Sequence, residues 1–275
     1  MTRVALFQSN TGIDPAVNAG ALTDAIERAA AGGAEMLFTP EMSGLLDRDA
    51  ARAAKALRPQ DEDRVLAEAR EAAARHRIWL HNGSLAVLVD DGKVANRAFV
   101  IDREGEVRAT YDKLHLFDVD LPTGESWRES NVYSAGTGVV LVNGTPVGKL
   151  GLTICYDLRF PGLFARLAEG DADLIAVPAA FTVPTGKAHW HVLLRARAIE
   201  AGLFVIAAAQ VGHHEDGRNT FGHSLVVDPW GEVLLDMGEQ PAVGFADIDL
   251  KRISDVRSRI PALNHRRPIP DAVTL

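Results

Sequence analysis

One cysteine, one glutamate and one lysine stand in segments that suggest chemistry. The cysteine, Cys155, ends an apolar run in GLTICYDLRFPGLF, where polar Asp157 and Arg159 follow and Pro161 can open a helix. A lone cysteine is ordinarily a small buried hydrophobe. At a strand-to-helix turn, however, a side chain can project outward as a nucleophile, and a helix N-terminus nearby favours its thiolate. Such a nucleophile needs a base. None of the nine histidines stands in a segment that marks it for that role. Glu41 does, because it follows EMLFTP, and Pro40 prevents the strand from reaching it. A carboxylate in apolar surroundings can have its pKa raised toward neutrality and act as a general base. Its bland reading is a helix cap or surface charge. Lys113, in ATYDKLHLFDVD, lies among apolar residues rather than in a charge run and could hold negative charge on a substrate oxygen. The usual fate of a lysine is to snorkel at the surface.

Other chemistries lack support. His189 and His191, two residues apart, fall on different faces of a helix, and His213 and His214 read as loop residues. There is no His-Glu-x-x-His, no cysteine pair and no phosphate-binding glycine loop, so the sequence calls for no metal and no organic cofactor. The net charge of −8 disfavours nucleic acid as a partner, and the cluster His265, Arg266, Arg267 is too short to reverse that; it reads as a cap on the fold or a contact to another subunit. No apolar run of about 18 residues predicts a membrane span. The opening MTRVALFQSN lacks the apolar stretch of a signal peptide and reads as a strand. With a single cysteine no internal disulfide can form, which fits a reducing cytoplasm.

The elements that must position these residues follow from periodicity. The 275 residues, 47% hydrophobic, can bury a sizeable core as a single unit. Val4 to Phe7 form a strand, Asp14-Pro15 caps a helix carrying Leu22, Ala25, Ile26 and Ala29, and Gly32-Gly33 ends it. Met36 to Phe38 is the next strand, and a second helix spans about Asp61 to Arg75. IWLHNGSLAVLVD, VANRAFVID and EVRATYDK are β-rich, separated by turns at Asp91-Gly92 and Glu104-Gly105, and should pair antiparallel. Strand Gly151 to Ile154, helix Pro161 to Leu167, strand Leu174 to Pro178, helix Ala188 to Ala201 and strand Phe204 to Ala209 follow, then a hairpin turning at Asp228-Pro229-Trp230-Gly231. No repeat or linker stands out. The strands are too many for one sheet, so two mixed sheets packed face to face with helices outside are expected, ahead of an ordinary doubly wound sheet. A tail from about residue 258 has little patterning, yet carries Ile260, Leu263 and Ile269, which suggests docking on a partner subunit.

Together these segments resemble the nitrilase, or carbon–nitrogen hydrolase, superfamily from VALFQSN to HRRP. MLFTPEMSG is similar to the family's general-base motif, YDKLHLFDVD to its lysine motif and GLTICYDLRF to its nucleophile motif. The resemblance implies a single α-β-β-α sandwich domain, residues 1–275, a Glu41–Lys113–Cys155 triad, no cofactor, and a dimer or larger assembly. It also implies a second glutamate, for which GESWRESN offers Glu125 and Glu129; RESN matches the family better and selects Glu129. Cys155-Tyr156-Asp157 resembles the amidase branch rather than true nitrilases, which usually carry Cys-Trp-Glu. The stretch GKAHWHVLLRARAIEAGLFVIAAAQVGHHEDGRNTFGHSLVVDPWGEVL is similar to the Nit subgroup, and within it to deaminated-glutathione amidases rather than ω-amidases. The expected activity is hydrolysis of a small, carboxylate-bearing amide through a cysteine thioester. Tyr156 would supply a backbone N–H to the oxyanion, and Arg159 would bind a substrate carboxylate unless it serves a structural ion pair, as with Asp157. ω-Amidase, nitrilase and N-carbamoyl hydrolase activities are the competing readings, and a silent binding protein is the non-enzymatic one.

Overall fold

The computed structural model describes residues 1–89, 92–120, 124 and 126–274. Asp90, Asp91 and Glu125 therefore lie outside the described residues, and with them half of the Asp91-Gly92 turn and the alternative second glutamate. The first sheet contains β1 (Thr2–Gln8), β2 (Met36–Phe38), β4 (Trp79–Leu88), β5 (Val94–Ile101), β6 (Val107–Asp112) and β18 (Ala242–Ile248), with short β3 (Arg58–Pro59) and β9 (Tyr133–Ser134) at its rim. The second contains β10 (Leu141–Thr145), β11 (Gly148–Leu152), β12 (Leu174–Ala176), β13 (Phe204–Ala207), β16 (Leu225–Val227) and β17 (Val233–Asp236). Two hairpins stand apart, β7 (Asp118–Asp120) with β8 (Ser126–Arg128) and β14 (Val211–His213) with β15 (Asn219–Phe221).

The main path of the first sheet runs β18-β1-β2-β4-β5-β6 and that of the second β10-β11-β12-β13-β16-β17. Both show one pairing sequence: antiparallel, parallel, parallel, antiparallel, antiparallel. The sequence has no repeat, but the topology does. The three β-rich stretches after the second helix are β4, β5 and β6, antiparallel as expected.

The alternation of side chains shows why each sheet is covered twice. Val4, Leu6, Met36, Phe38, Ala98 and Val100 join the core shared with the second sheet, while Ala5, Leu37, Phe99 and Ile101 face helices α1 (Pro15–Ala31) and α3 (Arg64–His76). Residues two apart on a strand share a face, so a strand buried on both sides is apolar throughout. Helices α4 (Pro161–Glu169) and α5 (Val183–Ala201) cover the outer side of the second sheet. The result is the expected α-β-β-α sandwich. Helix α2 (Ala50–Ala53) is a single turn, and α6 (Lys251–Arg259) follows β18. No helix of the described residues is long and apolar enough to cross a membrane.

Several boundaries differ from expectation for local reasons. Helix α3 begins at Arg64 rather than about Asp61, because Asp63 caps it by accepting the Leu66 N–H at 2.8 Å and Gln60–Glu62 is a 3-10 turn. Helix α5 begins at Val183 rather than Ala188; Pro184 and Gly186 are poor helix formers that hide its first turn. Gly186 is needed there because an added Cβ would lie 2.2 Å from the Phe221 ring. The tail is less featureless than expected, since α6 reaches Arg259. Leu263 packs on the core, and Arg266 reaches Glu169 at 3.1 Å and the Ala165 carbonyl at 3.4 Å. Up to Arg266 the tail thus docks on its own chain.

Candidate active site

Three strand ends bring the candidate residues together. Strand β2 stops at Phe38, Pro40 cannot continue it, and Glu41 lies in the turn beyond, its carbonyl accepting from Gln210 Nε2 at 2.9 Å. The approach is close: a Cβ on Gly83 of β4 would meet the Thr39 carbonyl at 2.1 Å and Pro178 at 2.5 Å, so glycine is required where the sheets interlock. Lys113 follows β6 and is fixed through its backbone, donating to the Asn96 carbonyl at 3.0 Å and accepting from Gly136 N–H at 2.8 Å. Cys155 lies three residues past the end of β11 and opens a 3-10 turn, Cys155–Arg159. Its φ of 48° is left-handed, a conformation that residues with a Cβ avoid and that recurs at functional turns. Its N–H is held by the Pro178 carbonyl at 2.8 Å.

The side chains converge. Lys113 Nζ lies 2.8 Å from Glu41 Oε1 and 2.9 Å from Glu129 Oε2. Asn96 Nδ2 bridges the same two carboxylates at 2.9 and 3.1 Å. The Ala180 N–H donates to Glu41 Oε2 at 3.0 Å, and the Phe117 N–H to Glu129 Oε2 at 2.6 Å. Glu41, Lys113 and Cys155 are all buried. Glu129 thus reaches the cluster from the 3-10 turn Glu129–Asn131.

The electrostatics correct two expectations. Burial pushes Glu41 upward, but the Lys113 charge and hydrogen bonds from Lys113, Cys155 and Asn96 outweigh it, so its pKa lies below the ordinary value and not near neutrality. Burial and the Glu41 charge push the Cys155 thiol well above its ordinary value, against the opposing Lys113 charge and Ala180 N–H. The resting pair is a carboxylate beside a thiol, not a preformed thiolate. Burial pushes Lys113 down, but the charges of Glu129, Glu41 and Cys155 prevail and hold it protonated, well above its usual value. An ionised base, a protonated nucleophile and a buried ammonium can together deliver a sulfur to an electrophilic carbon and neutralise the charge that develops on its oxygen.

A cavity of about 610 Å³ opens over this cluster, a volume suited to a small molecule. Tyr156 lines it, its ring set edge-on to Phe117 and Phe160 at 5.1 and 5.3 Å. Arg159 also lines it, lying 5.3 Å over the Phe181 ring with Nη1 3.2 Å from His189 Nδ1. The alternative ion pair between Arg159 and Asp157 does not form. Asp157 is fully buried and accepts instead from Tyr111 OH at 2.7 Å and from the N–H groups of Ile154 at 2.8 Å and His115 at 3.1 Å. It ties the nucleophile turn to the lysine loop. Two further arginines lie over the Trp127 ring, Arg48 at 5.3 Å and Arg218 at 5.0 Å from its centroid. Arg218 is held by Asp216 at 2.7 Å, whereas Arg48 and Arg159 have no carboxylate in ion-pair range among the described residues.

The sequence reading missed Asn96 and Arg48, and it gave Asp157 only as an ion-pair partner for Arg159. Asn96 sits mid-strand in VANRAFVID, where a polar residue between buried alanines was the available signal. The other two take their meaning from contacts distant in sequence.

An αββα sandwich with a Glu–Lys–Cys cluster at its strand ends defines a class, and comparison with known proteins agrees. The family model described as carbon-nitrogen hydrolase matches residues 3–258. The chain belongs to this carbon–nitrogen hydrolase family, and it is a hydrolase of non-peptide amide C–N bonds. It is 37% identical over 273 residues to the deaminated glutathione amidase of Yersinia enterocolitica, covering 98% of this chain and 94% of that protein. The crystal structure of the Caenorhabditis elegans NitFhit protein superposes with a TM-score of 0.89 at 40% identity, covering 97% of this chain and 65% of that one. A glutamate-to-glutamine mutant of the amidase from Nesterenkonia sp. AN1 superposes at 0.78, with 26% identity and coverage of 95% and 98%. That structure shows the result of Michael addition of acrylamide at its active-site cysteine.

Proposed function

We propose that the chain is a single-domain amidase that hydrolyses a small carboxylate-bearing amide, of the deaminated-glutathione kind, through a thioester on Cys155. The observation that carries this reading is the shared hydrogen-bonding of Lys113 to Glu41 and Glu129 beside the buried Cys155 thiol. Glu41 takes the thiol proton as sulfur attacks the amide carbon. The carbonyl π pair moves to oxygen, and Lys113 with the N–H of Tyr156 stabilises the oxyanion. As the oxyanion collapses, Glu41 returns the proton to the departing nitrogen, ammonia leaves, and the acyl group remains on sulfur. Glu41 then draws a proton from a water placed by Glu129, the water oxygen attacks the thioester, and acid and thiol are regenerated. The roles need neither a metal nor an organic cofactor.

The substrate class rests on the two arginines without carboxylate partners, Arg48 and Arg159, in a cavity flanked by Trp127, Tyr156 and Phe181. A guanidinium fork suits a carboxylate. The name of the Yersinia relative supports the same class. Ammonia release from a panel of acidic amides, neutral amides, nitriles and N-carbamoyl amino acids tests the proposal. Acidic amides should react fastest, with mass spectrometry trapping an acyl adduct on Cys155. Preference for nitriles or carbamoyl compounds would replace it, and absence of any adduct or ammonia would favour a binding protein.

We further infer a homodimer in the cytoplasm. Val192 and Ile199 on α5, Trp230, Val233 and Leu234 on the β16–β17 hairpin, and Ile260 after α6 are exposed apolar residues, more than a lone subunit needs. Sedimentation at micromolar concentration should give twice 29.6 kDa; a persistent 29.6 kDa species would exclude the dimer.

A further inference from the structure

We propose that His191, His223 and Asp236 form a binding site for a divalent transition-metal ion of the zinc class, separate from the catalytic cavity. His191 lies on α5, His223 in the loop between β15 and β16, and Asp236 at the end of β17. His191 Nε2 is 3.0 Å from Asp236 Oδ2, and His223 Nδ1 is 2.9 Å from Asp236 Oδ1. All three donor atoms lie within 4.8 Å of one another. Two imidazoles and a carboxylate are a donor set that zinc and its neighbours accept. Zinc bonds of about 2.0–2.2 Å in a tetrahedron separate the donors by roughly 3.3–3.6 Å, so sub-ångström shifts admit the ion. None of the three residues lines the catalytic cavity.

The surroundings are built for ligands rather than for a chance cluster. His223 has φ of 54°, the left-handed region that a residue with a Cβ avoids. It is held there by its N–H to the Gly238 carbonyl at 2.8 Å and by the Trp190 indole donating to its carbonyl at 2.7 Å. The Phe221 ring stacks on His223 with centroids 4.5 Å apart, and His191 sets its edge against both rings. The distal nitrogen, His223 Nε2, is 3.8 Å from Glu239 Oε1. Imidazoles bound to metals characteristically offer the second N–H to a carboxylate, which orients the ring. Asp236 Oδ1 accepts the Gly238 N–H at 3.0 Å. Side-chain exposures of 36%, 20% and 35% leave an open side for entry and for water as a further ligand. Bound there, an ion would tie α5 to β17 and the 222–223 loop.

The test uses untagged full-length protein, stripped with EDTA and dialysed, titrated calorimetrically with zinc ion alone. Cys155→Ala protein is titrated in parallel to remove the catalytic sulfur as a competitor. One equivalent should bind in both proteins and raise the melting temperature. His191→Asn and Asp236→Asn should each weaken binding at least about 100-fold, while Glu239→Gln weakens it about tenfold. Cobalt ion should give visible ligand-field bands in wild type that vanish in His191→Asn, whose site is on the helix surface. Amide turnover measured in EDTA should match wild type in His191→Asn, Asp236→Asn and Glu239→Gln, which also shows that each of these folds. Loss of binding only in Cys155→Ala would assign the ion to the catalytic sulfur and overturn the proposal. So would unchanged affinity in both His191→Asn and Asp236→Asn, or no binding at millimolar zinc, which would leave a histidine–aspartate hydrogen-bond bracket.

Discussion

The two sheets share one pairing sequence yet bring different chemistry to the cavity. In the first, the turn after β2 carries Glu41. The matching turn of the second, after β12, carries Pro178 to Ala180, whose Ala180 N–H binds the other oxygen of that glutamate. In the second sheet the turn after β11 carries Cys155. Its match in the first, after β1, carries Ser9, Asn10 and Thr11, and Gln210 locks this turn to the Glu41 carbonyl through bonds of 3.1, 2.7 and 2.9 Å. Both remaining turns hold Glu41, one at its carboxylate and the other at its carbonyl, and the Pro178 carbonyl of the turn after β12 also holds the Cys155 N–H at 2.8 Å. Glu41 and Cys155 can therefore lie on different sheets without losing register, because the turn after β12 holds the Glu41 carboxylate through Ala180 and the Cys155 N–H through Pro178.

Removing the second sheet's contribution should have the largest effect. Cys155→Ala is expected to lower turnover at least about 1,000-fold, as for other covalent nucleophiles, with melting temperature nearly unchanged because the side chains are similar in size. Activity above a few per cent of wild type would end the cysteine mechanism. Removing the first sheet's contribution comes next. Glu41→Gln should cost about 100- to 10,000-fold in kcat through lost proton transfer, while Lys113 keeps Glu129 as a partner. Lys113→Met should lose a similar factor but also stability, about 3–5 kcal/mol, since two carboxylates would remain buried with no cation. Equal melting temperatures for the two variants would contradict this asymmetry.

Much of this arrangement is legible in the amino-acid sequence. Strand β2 with its proline stop, the α1 cap at Asp14 and the β11 strand into Cys155 are local signals, and the glutamate, lysine and cysteine stand out within their own segments. What escapes is non-local. Strand β18 gains its meaning by pairing with β1 across the length of the chain, and the topological repeat leaves no repeat in sequence because only the pairing is shared. The pKa directions escape as well. A carboxylate in an apolar segment suggests a raised value, and the 2.8 Å approach of Lys113, 72 residues away, with hydrogen bonds from Cys155 and Asn96, reverses it. Likewise His191 and Asp236 stand 45 residues apart, so no local spacing could announce them as neighbours.

The tie between the halves can be weakened without touching a reacting group. Asp157→Asn keeps the shape but replaces a charged acceptor of the Tyr111 hydroxyl and the Ile154 and His115 N–H groups. The expected cost is about 1–3 kcal/mol of stability. A misplaced nucleophile turn should also lower kcat by roughly 10- to 100-fold with little change in KM. A KM effect without a kcat effect would show that Asp157 serves substrate binding instead.

The pH profile sharpens the comparison electrostatically. The proposed mechanism requires ionised Glu41 from one sheet and a protonated Cys155 from the other. Since Glu41 lies below its ordinary 4.5 and Cys155 well above its ordinary 9.0, kcat/KM should be flat between those values. The acid limb should fall only below pH 4.5. The stabilisation that Glu41 gains on folding is present above its unfolded pKa and is lost as pH drops through the lower folded value. A bell centred near 7 with limbs inside that plateau would point to a histidine and against this pair.

The smallest effects should fall at the arginines, whose side chains take no part in the proposed proton and acyl transfers. Arg159 rests on Phe181 and Arg48 on Trp127, each without a carboxylate partner among the described residues. Their charges are free for substrate, whereas Arg128 and Arg218 are committed to Asp120 and Asp216. Arg159→Lys keeps the charge but loses the planar fork, so KM for acidic amides should rise about 10-fold while neutral amides change less than about twofold. Arg48→Gln should do the same more weakly, roughly 3- to 10-fold, because an exposed pair is screened by solvent and salt. Raising the ionic strength should shrink the Arg48 effect before the Arg159 effect. Equal losses for acidic and neutral amides, accompanied by a lower melting temperature, would assign both arginines to the scaffold and leave the acidic-substrate reading without its main support.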